Sequence, residues 1–195
     1  MRATAPTTAI VIAAGGDARR MGGDKPLRLL AGRRLIDHAL DFAQRQSGPV
    51  AVAASRTIPA VSVPILPDLQ PGIGPIGALA SAMDFAAAHG CDAVLLIGCD
   101  MPFLPADLLP RLHGALHGRG AVLPERGGRV QPMAGLWRAE PAALAAHIAS
   151  GGRSLWGFAE RQGMALVAWD TAGDDPFANL NSPDDLAAAE ARVPR

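Results

Sequence analysis

An excess of charge of either sign is missing from this chain: 18 basic side chains balance 18 acidic ones. Without a net basic field, neither nucleic acid nor an acidic membrane surface is an expected partner, and any anion site has to be local. Long apolar runs are missing too. None approaches the ~20 residues a membrane-spanning helix needs. No long apolar stretch follows Arg2 ahead of a cleavage site, so the N-terminus does not read as a signal peptide. Cysteine is scarce, with only Cys91 and Cys99. If a strand joins them they sit ~26 Å apart, at about 3.3 Å per residue. A disulfide tolerates roughly 7 Å between Cα atoms, so both are expected to be reduced thiols, which fits the cytoplasm. Tyrosine is absent, and Trp137, Trp156 and Trp169 read as core or rim residues and not as a stacking platform. There is no Cys/His cluster for zinc, no Gly-x-Ser-x-Gly elbow for acyl transfer and no Gly-Lys-Ser/Thr of a Walker A loop. His113 and His117 have i, i+4 spacing, but Gly114 stands where a zinc protease has Glu, so they read as helix-surface histidines.

What remains is a chain of 195 residues, 49% of them apolar, enough for one domain with a full core. Short β-rich runs alternate with helical patterns. Thr8–Ala13 is apolar nearly throughout, as a strand covered on both faces would be. Leu35 to Gln46 reads as a helix, Val50 to Ala54 as a second strand and Val61 to Leu66 as a third. Ile76, Leu79, Ala80 and Met83 fall at i, i+3, i+4 and i+7, predicting a helix over Ile76 to His89. Ala93 to Ile97 is a central strand, and Pro105 to His117 a helix. The second half is less regular: strands over Ala121 to Pro124, Pro132 to Trp137 and Ala165 to Trp169, and helices over Glu140 to Ala149 and Ser154 to Gln162. Ser182-Pro183-Asp184-Asp185 opens a final helix, with Ser182 as N-cap and acids at its positive end. The order is βαβ repeated, which predicts an α/β fold: a Rossmann-like three-layer sandwich with a mostly parallel sheet.

Four segments carry chemistry. The loop Gly15-Gly16-Asp17-Ala18-Arg19-Arg20-Met21-Gly22-Gly23-Asp24-Lys25 leaves the first strand, where open α/β sheets bind ligands. Its glycines let backbone N–H groups approach an anion. Arg19 and Arg20 can grip phosphate oxygens in a bidentate way, and Lys25 adds a point charge. Such a loop suits a polyphosphate. In Cys99-Asp100-Met101-Pro102, Asp100 lies just past the central strand. It is either a cap of the turn before Pro102 or a carboxylate that holds Mg²⁺ against phosphate oxygens, and the cationic loop opposite favours the second. Gly72-Ile73-Gly74-Pro75-Ile76-Gly77 matches a dinucleotide fingerprint literally. It follows no strand directly and contains Pro75, so it reads as a glycine loop leading into the Ile76 helix and forming a wall of the site. Asp68 before it is a base or ribose contact, or a turn residue after Pro67. Asn179 and Asn181 lie just before the last helix, either as donors to a polar ligand or as turn and cap residues.

These segments resemble the molybdenum cofactor guanylyltransferases. Ala14-Gly15-Gly16, then Arg20-Met21-Gly22-Gly23-Asp24-Lys25, resembles that family's opening signature. Gly74-Pro75-Ile76-Gly77-Ala78-Leu79 is similar to its Gly-Pro-Leu-Ala-Gly segment, Cys99-Asp100-Met101-Pro102 to its metal-binding motif, and Asn179-Leu180-Asn181-Ser182-Pro183 to its terminal element. The resemblance implies a nucleotidyltransferase-type fold and a reaction in which the terminal phosphate of molybdenum-molybdopterin attacks the α-phosphorus of GTP. The products are a guanine dinucleotide cofactor and pyrophosphate. Carried over, Ala13, Ala14, Gly15 and Gly16 meet the nucleotide, and Arg19, Arg20 and Lys25 hold phosphates. Asp68 binds guanosine, Asp100 binds Mg²⁺, and Asn179 and Asn181 lie on the pterin side. The family's Asn-x-Asn after the second strand is here Ala53-Ala54-Ser55, leaving Ser55 as the replacement contact. Gly15 favours GTP, since cytidylyl relatives usually carry Ala there.

The expectation is therefore one domain over 1–195, with a nucleotide-binding half at about 1–105 and a pterin-binding half at about 106–195. It acts on GTP and molybdenum-molybdopterin, with a molybdoenzyme or its chaperone as a further partner. Two rivals stay open: a cytidylyltransferase acting on molybdopterin or another phosphorylated small molecule, and a non-catalytic nucleotide-binding module that delivers cofactor. A metal-dependent glycosyltransferase is disfavoured by the absence of an Asp-x-Asp at Asp100.

Overall fold

The computed structural model describes residues 6–15, 25–67 and 72–193. Asp68, Gly16, Arg19 and Arg20, together with most of the cationic loop, lie outside the described residues. One sheet runs through both halves of the chain. Its elements are β1 (Thr8–Ala13), β4 (Val50–Ala53), β5 (Ile65–Leu66), β6 (Ala93–Gly98), β7 (Ala121–Arg126), β8 (Arg129–Val130), β9 (Ala134–Arg138) and β10 (Met164–Trp169). A separate two-stranded ribbon is formed by β2 (Leu29–Leu30) and β3 (Arg33–Arg34). The helices are α1 (Leu35–Gln44), α2 (Pro75–Ala88), α3 (Leu108–Ala115), α4 (Pro141–Ala149), α5 (Leu155–Arg161) and α6 (Pro183–Glu190).

The strand order is β10-β7-β9-β6-β1-β4-β5, with β8 paired to β7. The pairs β1–β4, β1–β6, β4–β5 and β7–β10 are parallel, as the repeated βαβ order predicts. β9 is the exception: it runs antiparallel to both β6 and β7. From β1 the chain builds outward to β4 and β5, then crosses back over β1 to β6. That reversal opens a crevice beyond the carboxyl ends of β1 and β6, where ligands of open α/β sheets bind.

Burial explains the layers. Every residue of β1 and β6 is buried, so both strands are covered on both faces. Alternate residues sort to the two sides. Ile10 and Ile12 join Leu95, Ile97 and the inward faces of α1 and α3. Ala9 and Val11 join Val94, Leu96 and side chains of α2, α4 and α5. α6 instead packs in a small satellite core, where Leu30, Leu35, Leu180 and Ala189 meet. It buries only Ala189 of its own residues, so its start depends on capping. The Ser182 side chain accepts from Asp185 N–H, and the Asp185 carboxylate accepts from Ser182 N–H. Such caps are worth about 1 kcal/mol.

Several sequence expectations change at their ends. The helix over Leu35 to Gln46 stops at Gln44, and that over Pro105 to His117 covers only Leu108–Ala115. Pro105 instead opens a turn, its carbonyl accepting from Leu108 N–H. The third strand shrinks to Ile65–Leu66, because only these residues pair with Val52 and Ala53. The β2–β3 ribbon was not expected. Its two-residue turn holds Ala31 at φ 49° and Gly32 at φ 74°, the geometry that matches strand twist in a tight hairpin. Trp137 and Trp169 are buried, whereas Trp156 is at the surface.

His113 corrects another expectation. His117 is exposed and beyond α3, but His113 is half-buried, with Nε2 2.8 Å from Thr8 Oγ1 on β1. The 3.6-residue turn directs position 113 back onto the sheet beside Leu109 and Leu112. Burial holds its pKa below the ordinary 6.5. A histidine whose folded-state pKa is depressed stabilises the fold above its unfolded pKa, and that contribution is lost as pH falls below it. His113→Gln should therefore flatten the decline in Tm between about pH 7 and about pH 5. An unchanged slope in thermal melts would show that His113 does not titrate with unfolding.

Candidate active site

The crevice is framed by strand ends. The Ala13 carbonyl accepts from Cys99 N–H at 3.0 Å, and Ala14 N–H donates to the Ala53 carbonyl at 2.8 Å. These bonds carry the sheet one residue beyond β1 and align three chain segments at one edge. Ala13 is thereby occupied through its backbone, while Ala14 and Gly15 face an open cleft of about 450 Å³. Lys25, Pro26, Leu27, Ala54, Ser55 and Thr57 line it as well. Ser55 thus shares one cleft with Ala14 and Gly15.

Lys25 begins a 3-10 turn over Lys25–Leu27. Its ammonium donates to Asp100 Oδ2 at 2.5 Å and to Asn181 Oδ1 at 2.6 Å. Residues separated in sequence by 75 and 156 positions therefore share one cation. Lys25 and Asp100 side chains are 17% and 20% exposed, open enough for a ligand to reach both. Asp100 lies two residues past β6. Its carboxylate folds back over the strand end, close enough that a Cβ on Gly98 would lie 2.5 Å from Asp100 Oδ1. Glycine at 98 is required by that approach.

The amide segment is anchored from both sides. Leu180 N–H donates to the Asp100 carbonyl at 3.0 Å, and Asn181 N–H donates to the Asp185 carboxylate at 2.8 Å. Hydrogen bonds from Asn181 N–H and from Ser182 hold the Asp185 carboxyl below the usual carboxylate range. Asn181 is fixed in this way beside Lys25. Asn179 is exposed and takes no part in the Lys25–Asp100–Asn181 contacts. Cys99 is buried, and desolvation, with Asp100 next to it, pushes its thiol up to about 12. It is an inert packing group. Both cysteines are free thiols at opposite ends of β6, as their separation predicts.

The donor set fits a hard cation. Asp100 supplies a carboxylate and Asn181 an amide oxygen, both at the mouth of the crevice. Mg²⁺ is commonly held by one or two carboxylates, with phosphates and waters completing its shell. Among the described residues no group of three or more His, Cys, Asp or Glu forms a closed cage. An open site of this kind is suited to a metal brought together with a nucleotide. Sequence reasoning missed the part of the cleft wall made by Pro26, Leu27 and Thr57. None carries a motif, and only the fold brings Pro26 and Leu27 to Ser55 and Thr57. No helix among the described residues is long and apolar enough to cross a membrane.

Comparison with known proteins agrees with this geometry. Residues 10–165 match the model of the MobA-like NTP transferase domain. A molybdenum cofactor guanylyltransferase of Cereibacter sphaeroides is 40% identical over 186 residues, covering 93% of this chain and 94% of the relative. One from a Bradyrhizobium species is 35% identical over 197 residues, covering 94% and 93%. Among solved structures, molybdopterin-guanine dinucleotide biosynthesis protein A from Archaeoglobus fulgidus superposes with a TM-score of 0.78 at 23% identity, covering 94% of this chain and 97% of that one. The 2-C-methyl-D-erythritol 4-phosphate cytidylyltransferase of Thermus thermophilus has a TM-score of 0.69 at 21% identity, covering 94% and 98%, and shares the fold. With its sheet, its crevice and near full-length relatives in agreement, the chain belongs to the MobA-like NTP transferases, in the family of the molybdenum cofactor guanylyltransferases.

Proposed function

We propose that this enzyme transfers GMP from GTP to the terminal phosphate of molybdenum-molybdopterin, giving molybdopterin guanine dinucleotide and pyrophosphate. The observation that carries the reading is the Lys25 ammonium held between Asp100 and Asn181 at the edge of the Ala14–Ser55 cleft. It brings a cation, a carboxylate and an amide from three distant parts of the chain together beside that cleft. The names of the relatives support guanylyl transfer.

In the reaction, an oxygen of the pterin phosphate forms a bond to the α-phosphorus of GTP. The bond from that phosphorus to the oxygen bridging to the β-phosphate breaks, and pyrophosphate leaves with the bonding pair. Such displacements depend on positioning and charge neutralisation more than on covalent help. Ala14 and Gly15 bring backbone close to the nucleotide, and Ser55 faces its base or ribose. Asp68 takes a second base or ribose contact, and Gly16 a backbone contact. Arg19 and Arg20 hold phosphates with Lys25, and charge gathering there on displacement is met by these cations. Asn181, and with it Asn179, orients the pterin phosphate. Asp100 would hold Mg²⁺, which when bound supplies charge neutralisation on the phosphates. The nucleotide-binding part is then about 1–105 and the pterin part about 106–195. The product passes to a molybdoenzyme or its chaperone.

Purified protein incubated with Mg²⁺, molybdenum-molybdopterin and each NTP in turn should release pyrophosphate with GTP. Release with CTP alone would overturn the guanylyl reading, and nucleotide binding without release under every condition would favour a delivery module. Asp100→Asn should lower kcat by at least about a hundredfold while GTP affinity changes far less, because a metal ligand acts mainly on the transition state. Near-normal kcat would remove Asp100 from the reaction. Gly98→Ala meets chiefly the end of a short side chain, so Tm should change little. Its kcat should fall by about tenfold or more as the Asp100 carboxylate is displaced. Unchanged turnover would show that Asp100 need not fold over the strand end.

A further inference from the structure

The wall of the cleft formed by residues 54–60 has no helix or strand of its own. It is nevertheless tied at three points. Ala54 N–H donates to the Leu66 carbonyl at 3.1 Å, and Ile58 is buried in the core beside Ile36 and Leu40 of α1. The third tie is a single guanidinium. Arg34 donates from Nη1 to the Pro59 carbonyl at 2.6 Å and from Nη2 to the Ala60 carbonyl at 3.1 Å.

Arg34 is itself fixed. Asp37, in the first turn of α1, accepts from Arg34 Nε at 2.8 Å and from Nη2 at 2.6 Å. The fork is bidentate, which fixes the plane of the guanidinium and aims its remaining donors. The Arg34 hydrogen bond, with its charge, holds the Asp37 carboxyl below its usual range, consistent with a formed pair. The pair is partly exposed, at 23% and 28%, so its worth to global stability is small. What it holds is more telling. Ala60 has φ 54°, a left-handed conformation that non-glycine residues adopt at a cost of about 1 kcal/mol. Two carbonyls in this strained turn are met by a rigid donor, and across the buried Ile58 the turn adjoins the exposed stretch Ser55 to Thr57 that lines the cleft.

We propose that Arg34, aimed by Asp37, is a positioning residue for nucleotide specificity: it sets the shape of the 54–60 wall and so the enzyme's preference for one nucleobase. This rests on the reading of the cleft as the nucleotide site. Lysine cannot replace it, because a single ammonium does not span both carbonyls while paired to both carboxylate oxygens.

The test combines two readouts on Arg34→Ala, Arg34→Lys and Asp37→Asn. Amide hydrogen exchange without ligand should quicken by about tenfold at residues 55–58 and 60, with β1 and β6 unaltered. In steady-state assays with molybdenum-molybdopterin, KM for GTP should rise about five- to tenfold with kcat within about twofold, and the ratio of kcat/KM for GTP over ATP should fall. Arg34→Lys and Asp37→Asn should fall between wild type and Arg34→Ala. Unchanged exchange at the wall would overturn the proposal, as would unchanged KM and selectivity, or a loss confined to kcat. A fall in Tm with neither effect would make the pair purely structural. Should the wild type reject GTP, the functional reading fails instead; the exchange arm and the selectivity of whichever nucleotide is used still decide the role of Arg34.

Discussion

The ammonium of Lys25 lies within hydrogen-bond reach of two oxygens, one on Asp100 and one on Asn181, and these three residues come from the beginning, middle and end of the chain. Holding them together is the constraint that the rest of the structure serves. The pair is partly open to solvent, so its contribution to stability is modest. Its geometry has to come from elsewhere. β1 and β6 are adjacent parallel strands, buried on both faces, and they deliver Ala14 and Asp100 to the same edge. The reversal of direction at β1 leaves that edge uncovered.

The third member, Asn181, is far from the sheet in sequence and needs its own support. Part comes from the Leu180 N–H bond to the Asp100 carbonyl and part from the capping box of α6. A satellite core supplies the remainder, with Leu180 and Ala189 packed on Leu30 and Leu35. The Glu190 carboxylate also accepts from Ala31 N–H at 2.8 Å, tying the end of α6 to the turn of the β2–β3 ribbon. That ribbon follows Lys25 directly. The chain end therefore fixes both sides of the Lys25 contact, and the ribbon is part of the site's framework and not an ornament.

A chain with no net charge can still recognise a polyphosphate, because the field that matters is local. Arg19, Arg20 and Lys25 fall close together in the sequence of one loop, while the chain as a whole is balanced. The cleft beside them is shaped by an irregular wall whose order comes from α1, through Ile58 and the Arg34–Asp37 pair. The Lys25 contacts and the cleft wall are thus supported by different parts of the fold, one by strand ends and the other by a helix start.

Much of this was legible in the linear chain. The alternation of apolar runs with helical periodicity predicts the parallel strands β1, β4 and β6, because a strand buried on both faces has to be apolar throughout. The Ser182-Pro183-Asp184-Asp185 start of α6 is equally local, since a capping box is a matter of four consecutive residues. The motifs that point to Lys25, Asp100 and Asn181 were also readable, each as a separate candidate. The tertiary structure alone decided that the three meet. It also decided that β9 enters antiparallel, that His113 turns inward to Thr8, and that Arg34 reaches the carbonyls of Pro59 and Ala60. The physical reason is the same in each case. Periodicity and capping depend on neighbours within a few residues, whereas strand direction, a shared cation and a pinned wall depend on contacts whose partners lie tens of residues away.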